Sequence, residues 1–246
     1  MSIVNALEIT REAAKQGYAV GAFNITNIIQ MEAVVEAAVE KKAPLIIQTS
    51  VTPSKFLKPE VLVAVYRSLA EAAPIPICLH LDHCTEVDYC KKLADVGYTN
   101  LMIDASKQAF EENIRQTREV VDYCHAHSDA SVEGELGTVS GVEDQIRVSE
   151  DETALCNPKE AVDFVERTGV DIFAPAIGTA HGVYKTKNPK VDFERMATIN
   201  KMLNADRINT PLVVHGGTGQ PEDYDKRLLE AGGAKFNVST EIKHTL

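Results

Sequence analysis

No apolar run in the chain approaches the length needed to cross a bilayer; the longest are a few residues, such as PLIIQ at 44–48. A helical membrane span is therefore not expected. The opening MSIVNALEITREAAKQ carries acids and no extended apolar stretch, so it does not read as a signal peptide. Low-complexity tracts are absent, and so is any CxxC pair. The five cysteines (Cys78, Cys84, Cys90, Cys124 and Cys156) form an odd set. Without an export signal they are expected to be reduced thiols in a cytoplasmic protein. Basic charge is also short. Lys and Arg number 25 against 36 Asp and Glu, for a net charge of −11. That balance argues against nucleic acid and anionic membrane as partners. It leaves room for a phosphorylated small molecule, because backbone N–H groups can hold phosphate.

What the 246 residues do contain is a repeat of apolar, β-branched runs followed by amphipathic stretches. Strands are expected at 20–25, 44–50, 76–83, 100–106, 130–137, 171–178, 210–217 and 234–240. Helical spacing of apolar residues marks 5–17, 27–42, 58–73, 85–97, 111–127 and 157–170. The stretch at 85–97 has Thr85 as candidate N-cap and Gly97 as terminator. The last begins with Asn157-Pro158 and ends at Gly169, a good cap pair. Alternation of this kind predicts one α/β catalytic domain over 1–246, a TIM (β/α)8 barrel. A doubly wound open sheet is the alternative. The barrel is preferred because polar residues gather at the C-terminal ends of nearly every strand: Asn24, Ser50, Asp82-His83, Asp104 to Ser106, Glu135, Gly178-Thr179, His215-Gly216 and Asn237 to Thr240. In a barrel these ends meet at one mouth. Two connections are long: 138–157, acidic and without helical period, reads as a lid or binding loop, and 179–191 carries three lysines. The eighth helix has room for under two turns before Leu246.

Three of the seven histidines sit at or just past strand ends: His83, His181 and His215. They lie too far apart in sequence for a local finger, and only a barrel would bring them together. Three converging imidazoles with an open position form a catalytic zinc site; three unrelated rim histidines are the bland alternative. Asp82 adjoins His83, and strand alternation sends neighbours to opposite faces, so both reach the mouth only if the chain turns there. His80 shares a face with Asp82 and could orient it, or be a hydrogen-bonded core histidine. Asp104, Glu133 and Glu135 could support a metal or pair with a barrel lysine. Glu143, on the long connection, could be a base that arrives with substrate, or a solvated acid. HGGTG at 215–219 and NVST at 237–240 could hold a phosphate through backbone N–H groups and short polar side chains. His125 and His127 read as solvated.

The stretches GAFNITN, LHLDHC, MIDAS, VEGELG, AIGTAHG, VVHGGTG and KFNVSTE, in that order and over nearly the whole chain, resemble the class II, zinc-dependent ketose-bisphosphate aldolases. These are the fructose-bisphosphate and tagatose-bisphosphate aldolases. The resemblance implies reversible cleavage of a ketose 1,6-bisphosphate to dihydroxyacetone phosphate and glyceraldehyde 3-phosphate, with fructose as the default sugar. It implies Zn2+ on His83, His181 and His215, and a second or displaced metal position at Asp104 and Glu135. Asp82 would act at the carbon 4 hydroxyl, and Glu143 would move the carbon 3 proton. Asn24, Ser50, Gly182, Gly216, Gly217, Thr218, Asn237, Val238, Ser239 and Thr240 would contact substrate. A monovalent cation (Na+ or K+) near the phosphate and a homo-oligomer, dimer or tetramer, are also implied. Ser239 stands where fructose-type members often carry aspartate, which leaves the sugar epimer open. A Schiff-base lysine, required by the other aldolase mechanism, has one weak candidate in Lys107; Lys235 lies at the wrong end of its strand. A zinc hydrolase on the same fold and a non-catalytic phosphate-binding protein are the rival readings.

Overall fold

Eight parallel strands close on themselves in the computed structural model of the chain, which describes residues 2–143, 146–148, 154–182, 189–204 and 210–244. Side chains at 140, 142, 143, 146–148, 222, 243 and 244 lie outside that description. The barrel strands are β1 (Val20–Asn24), β2 (Leu45–Ser50), β3 (Ile77–Cys84), β4 (Asn100–Ile103), β5 (Ser131–Leu136), β8 (Ile172–Pro175), β10 (Leu212–Val214) and β11 (Gly233–Val238). Each pairs with the next, and β11 pairs back onto β1 with Val20 opposite Lys235. All eight expected strands are present, and the open-sheet alternative falls. Several end early: the sixth stops at Pro175 and the seventh at Val214, because their last residues turn into loops.

The helices are α1 (Ala6–Gln16), α2 (Ile28–Lys41), α3 (Val51–Leu57), α4 (Pro59–Ala72), α5 (Val87–Val96), α6 (Phe110–His127), α7 (Pro158–Thr168), α8 (Phe193–Asn204), α9 (Glu222–Glu230) and α10 (Thr240–His244). In α7 the Asn157 side chain accepts from Lys159 N at 2.9 Å, and Ala161, Phe164, Val165 and Thr168 form the buried stripe. The expected cap at Thr85 is corrected. α5 starts one residue later, with Glu86 at the N-cap and no side-chain cap bond. The Glu86 N–H donates to Cys84 Sγ instead, at 3.4 Å.

Strand alternation sorts the core into two apolar clusters. Ile47, Leu79, Leu81, Leu101, Val132 and Phe173 face outward and pack under the helices. Ala22, Ile46, Cys78, Ile172 and Val213 face inward and fill the lower end of the barrel. Ala6, Ile9 and Ala13 of α1 close that end. Each fully buried Leu, Ile or Phe in these layers contributes about 1.5–3 kcal/mol. The barrel is therefore a packed body whose upper, polar end alone is left for chemistry.

The connection at 138–157, expected as a lid or binding loop, is partly β-structured. It contains β6 (Ser140–Glu143) and β7 (Ile146–Val148), an antiparallel pair. With β9 (Ala180–His181) they make a three-stranded sheet at the barrel mouth. These strands, SGVE, IRV and AH, are too short to show the apolar runs that mark the barrel strands. Among the described residues no helix is long and apolar enough to cross a membrane.

Candidate active site

The end of β3 decides the layout. His83 has φ of +46°, a left-handed conformation that a non-glycine residue rarely adopts. The β3–β4 register shifts between Leu81 and Cys84, as at a bulge. This is the turn that the sequence required. It puts Asp82 and His83, neighbours in the chain, on the same inner side.

Three imidazoles meet there. The ring of His83 lies 4.8 Å from that of His181 and 4.6 Å from that of His215, centroid to centroid. His83 is the last-but-one residue of β3, His181 ends β9, and His215 follows β10. His83 and His215 each give their outer nitrogen to a buried carboxylate. His83 Nδ1 meets Asp104 Oδ2 at 2.9 Å, and His215 Nε2 meets Glu133 Oε1 at 2.9 Å. The inner nitrogens, His83 Nε2 and His215 Nδ1, face each other at 2.8 Å. Two imidazole lone pairs cannot point at one another without a cation between them. A second proton on His83 serves here. Burial opposes that charge, but Asp82 and Asp104 outweigh it and hold His83 well above the ordinary histidine range. Burial, with the charge of His83, pushes His215 down to about 4.

The same arrangement fits a metal ion. Ligand atoms of His83, His181 and His215 all lie within 4.8 Å of one another, as do those of His83, Asp104 and Glu135. Imidazole nitrogens whose far sides are held by carboxylates are the usual support of a zinc site. Three buried acceptors around the centre have no partner in the structure: Glu135 Oε2, Gln48 Oε1 and Asn237 Oδ1. Buried acceptors left over in this way call for a ligand or an ion. Burial and the nearby Asp104 push the Glu135 carboxyl well above its usual range. Ser106 donates its hydroxyl to Asp104 Oδ1 at 2.7 Å and fixes the other carboxylate.

Asp82 sits beside the imidazoles in a cage of amides. Asn24 Nδ2 donates to its Oδ2 at 2.9 Å, Gln48 Nε2 to the same oxygen at 3.3 Å, and Asn237 Nδ2 to Oδ1 at 3.3 Å. Gln48 also donates to Asn24 Oδ1 at 2.6 Å. Burial alone would raise this carboxyl; His83, His80 and Lys235 outweigh it and hold it well below the usual carboxylate range. Ser50 lies opposite Asp82 in the β2–β3 register and is buried. Gln48 had no place in the sequence reading. A glutamine inside a strand gives no signal until its neighbours are known.

Below this layer lies Lys235, fully buried, with Nζ 2.8 Å from Glu133 Oε2 and 3.4 Å from His80 Nε2. Glu133 thus pairs with the barrel lysine, one of the two readings open from sequence, while Glu135 does not. His80 is a hydrogen-bonded core histidine, meeting Asn100 at 2.5 Å, and its Nε2 lies 3.6 Å from Asp82 Oδ1. Lys107 is exposed, and Lys235 is held by its partners, so neither suits a Schiff base. His125 is exposed but paired with Asp171 at 2.9 Å, and His127 stacks on Tyr123.

The presumed phosphate loops are partly committed elsewhere. Gly217 N–H donates to Asn237 O at 3.1 Å, and the Thr218 hydroxyl accepts from Ser239 N–H at 3.1 Å. These bonds tie the loop after β10 to the end of β11; the Gly217 N–H is used in doing so, while the Thr218 hydroxyl keeps its own proton to donate. Gly216 has positive φ, and a Cβ there would lie 2.3 Å from Ala180 O, so this loop also packs on β9. Gly182 has positive φ with open space around it. Val238 and Thr240 are half-buried at the rim, and Ser239 is buried. Glu143 ends β6, two residues past Gly141, which stands opposite His181; its side chain is outside the described residues.

A family profile described as "Fructose-bisphosphate aldolase class-II" matches residues 4–246. The chain belongs to that family. It is 44% identical over 233 residues to the fructose-bisphosphate aldolase of Helicobacter pylori strain 26695, covering 94% of this chain and 74% of the relative. A crystal structure from Coccidioides immitis, named as a candidate fructose-1,6-biphosphate aldolase, superposes with a TM-score of 0.88 at 33% identity, covering 96% and 81% of the two chains. The YdjI aldolase of Escherichia coli K12 does so with a TM-score of 0.82 at 31% identity, covering 97% and 82%. As a class II aldolase the protein is a carbon–carbon lyase. Zinc is the metal that the class II family generally uses, and the three-histidine cluster is where this aldolase has donors for it.

Proposed function

We propose that the protein is a zinc-dependent aldolase, one catalytic domain over 1–246, that reversibly cleaves a ketose 1,6-bisphosphate, fructose first and tagatose next, to dihydroxyacetone phosphate and glyceraldehyde 3-phosphate. The observation that carries this is the meeting of His83, His181 and His215 beside the caged Asp82. His83, His181 and His215 would hold the ion, with Asp104 and Glu135 as a second or displaced position. Zinc, when bound, would polarise the carbonyl beside the breaking bond and offset charge on the enediolate.

The chain's own residues supply the rest. Asp82, kept ionised, takes the carbon 4 hydroxyl proton as the aldehyde leaves. Its three amide donors fix its direction. Glu143 returns a proton at carbon 3; support for that role is its place on the strand paired with His181. Asn24, Ser50, Gly182, Gly216 to Thr218 and Asn237 to Thr240 surround substrate, with Na+ or K+ near the phosphate. A cytoplasmic home suits five buried, unbridged cysteines. A homo-oligomer, dimer or tetramer, would cover apolar surface such as Phe56, which is 81% exposed.

The test is dihydroxyacetone phosphate release from fructose and tagatose 1,6-bisphosphates, side by side, on zinc-loaded protein. Faster release from the fructose substrate is expected. No release from either would remove the assignment.

Gly141 tests the role of the hairpin. Its φ is +112°, and a Cβ would stand 2.3 Å from His181 O. Gly141→Ala is expected to break the β6–β9 register and lower turnover on the order of 10²-fold, as misplaced reacting groups do. Thermal unfolding of the barrel should change little, since β6 is no part of it. Parent-like turnover would show that the register is irrelevant to catalysis.

A further inference from the structure

Glu133 and Lys235 form an ion pair with neither side chain exposed to solvent. Pairs of this kind add little net stability, because desolvation offsets their attraction. The apolar layer beneath them, Ile46, Cys78 and Val213, shows that this barrel can fill its interior without charge. Folding alone therefore gives no reason for the pair.

Its connections give one. Lys235 Nζ takes Glu133 Oε2 at 2.8 Å, leaving Oε1 to receive His215 Nε2 at 2.9 Å. On its other side the ammonium lies 3.4 Å from His80 Nε2, and that nitrogen is 3.6 Å from Asp82 Oδ1. The ammonium thus stands under both halves of the site.

We propose that Lys235 is a positioning residue for the metal centre: by holding one oxygen of Glu133 it fixes the other as acceptor for His215 Nε2, so that His215 presents Nδ1 to the ion. This rests on the reading of His215 as a zinc ligand. A carboxylate with one oxygen anchored cannot swing about its terminal bond. Without Nζ, Glu133 loses that anchor, and the imidazole loses the fixed partner that selects its tautomer and ring angle. Lys235 touches neither substrate nor ion; it acts through Glu133.

The experiment uses metal-free parent and Lys235→Met protein, titrated with Co2+ and then with Zn2+ against a chromogenic chelator. Lys235→Met should keep the parent's circular dichroism, bind either metal about 10- to 100-fold more weakly, as loss of outer hydrogen-bond partners does, and shift the visible Co2+ bands. Lys235→Gln, which retains an N–H donor, should recover part of the affinity. A Lys235→Met protein with parent affinity and parent Co2+ bands, even if less heat-stable, would overturn the proposal. Should that variant not fold, Glu133→Leu/Lys235→Met removes the charges together, and parent-like metal binding there overturns it equally. His215→Ala is the control. If it loses metal while Lys235→Met does not, the proposal alone fails; if it binds Co2+ like the parent, the ligand reading fails and takes the proposal with it.

Discussion

Asp82→Asn is expected to stop cleavage while the fold and the metal centre persist. The two side chains have the same shape. What changes is that the new amide cannot take a proton from the carbon 4 hydroxyl, a contribution worth about 10²- to 10⁴-fold in general-base catalysis. The cage can adapt. Asn237 Oδ1 has no partner in the structure, so that amide can turn over and accept from a new N–H₂ on its side, while Asn24 and Gln48 keep donating to the remaining oxygen. The loss in stability should therefore stay within about 1–3 kcal/mol, the cost of one poorly matched buried polar group. Two measurements separate the roles. Turnover of the bisphosphate should fall by that factor, while exchange of the carbon 3 proton of dihydroxyacetone phosphate with solvent should continue, because it needs no proton transfer at carbon 4. Cleavage within tenfold of the parent would remove Asp82 from the mechanism.

Stripping the metal is expected to have the other large effect. Negative charge develops on the ketose oxygen as the bond breaks, and the described groups nearest the three-histidine centre offer poor compensation. The extra proton of His83 is already offset by Asp82 and Asp104, and His215, buried and held down to about 4, is neutral near pH 7. Lys235 is already paired with Glu133. A cation acting as Lewis acid supplies several kcal/mol, which at 1.36 kcal/mol per decade is about 10³-fold or more. Treatment with a strong chelator should therefore abolish cleavage, and zinc should restore it. Removal should also lower thermal stability, since an ion at 100 times its dissociation constant contributes about 2.7 kcal/mol to the folded state. Activity that survives the chelator and is lost on borohydride treatment with substrate would instead point to a lysine imine.

The barrel was legible because its staves are buried on both faces. Runs such as LIIQTS and ICLHLDHC are β-branched or apolar at most positions, and both strands are buried throughout. The short strands β6, β7 and β9 were not, because nothing in SGVE or AH separates a paired strand from a polar loop. α9 was missed for a related reason: Leu228 is its one fully buried apolar residue, so it has hardly a stripe to find. α3, seven residues with Pro53 inside, runs straight on from β2. At the site, the residues with a distinctive type and place, His83, His215 and Asp82, could be named in advance. The partners that tune them could not. Gln48 and Asn100 meet their targets from neighbouring strands and Lys235 from across the barrel, and spacing along one strand says nothing of contacts between strands.

The seam between β1 and β11 ties the order of folding to the onset of activity. The amides around Asp82 come from β1, β2 and β11, and the one from Asn237 spans 155 positions of sequence. Contacts of such separation carry a large loop-closure cost and form late. A nascent chain that has laid down every stave but the last has its three histidines and its aspartate, yet lacks Lys235 and Asn237. The centre cannot ripen before the ring shuts, so for this chain becoming folded and becoming competent are the same step.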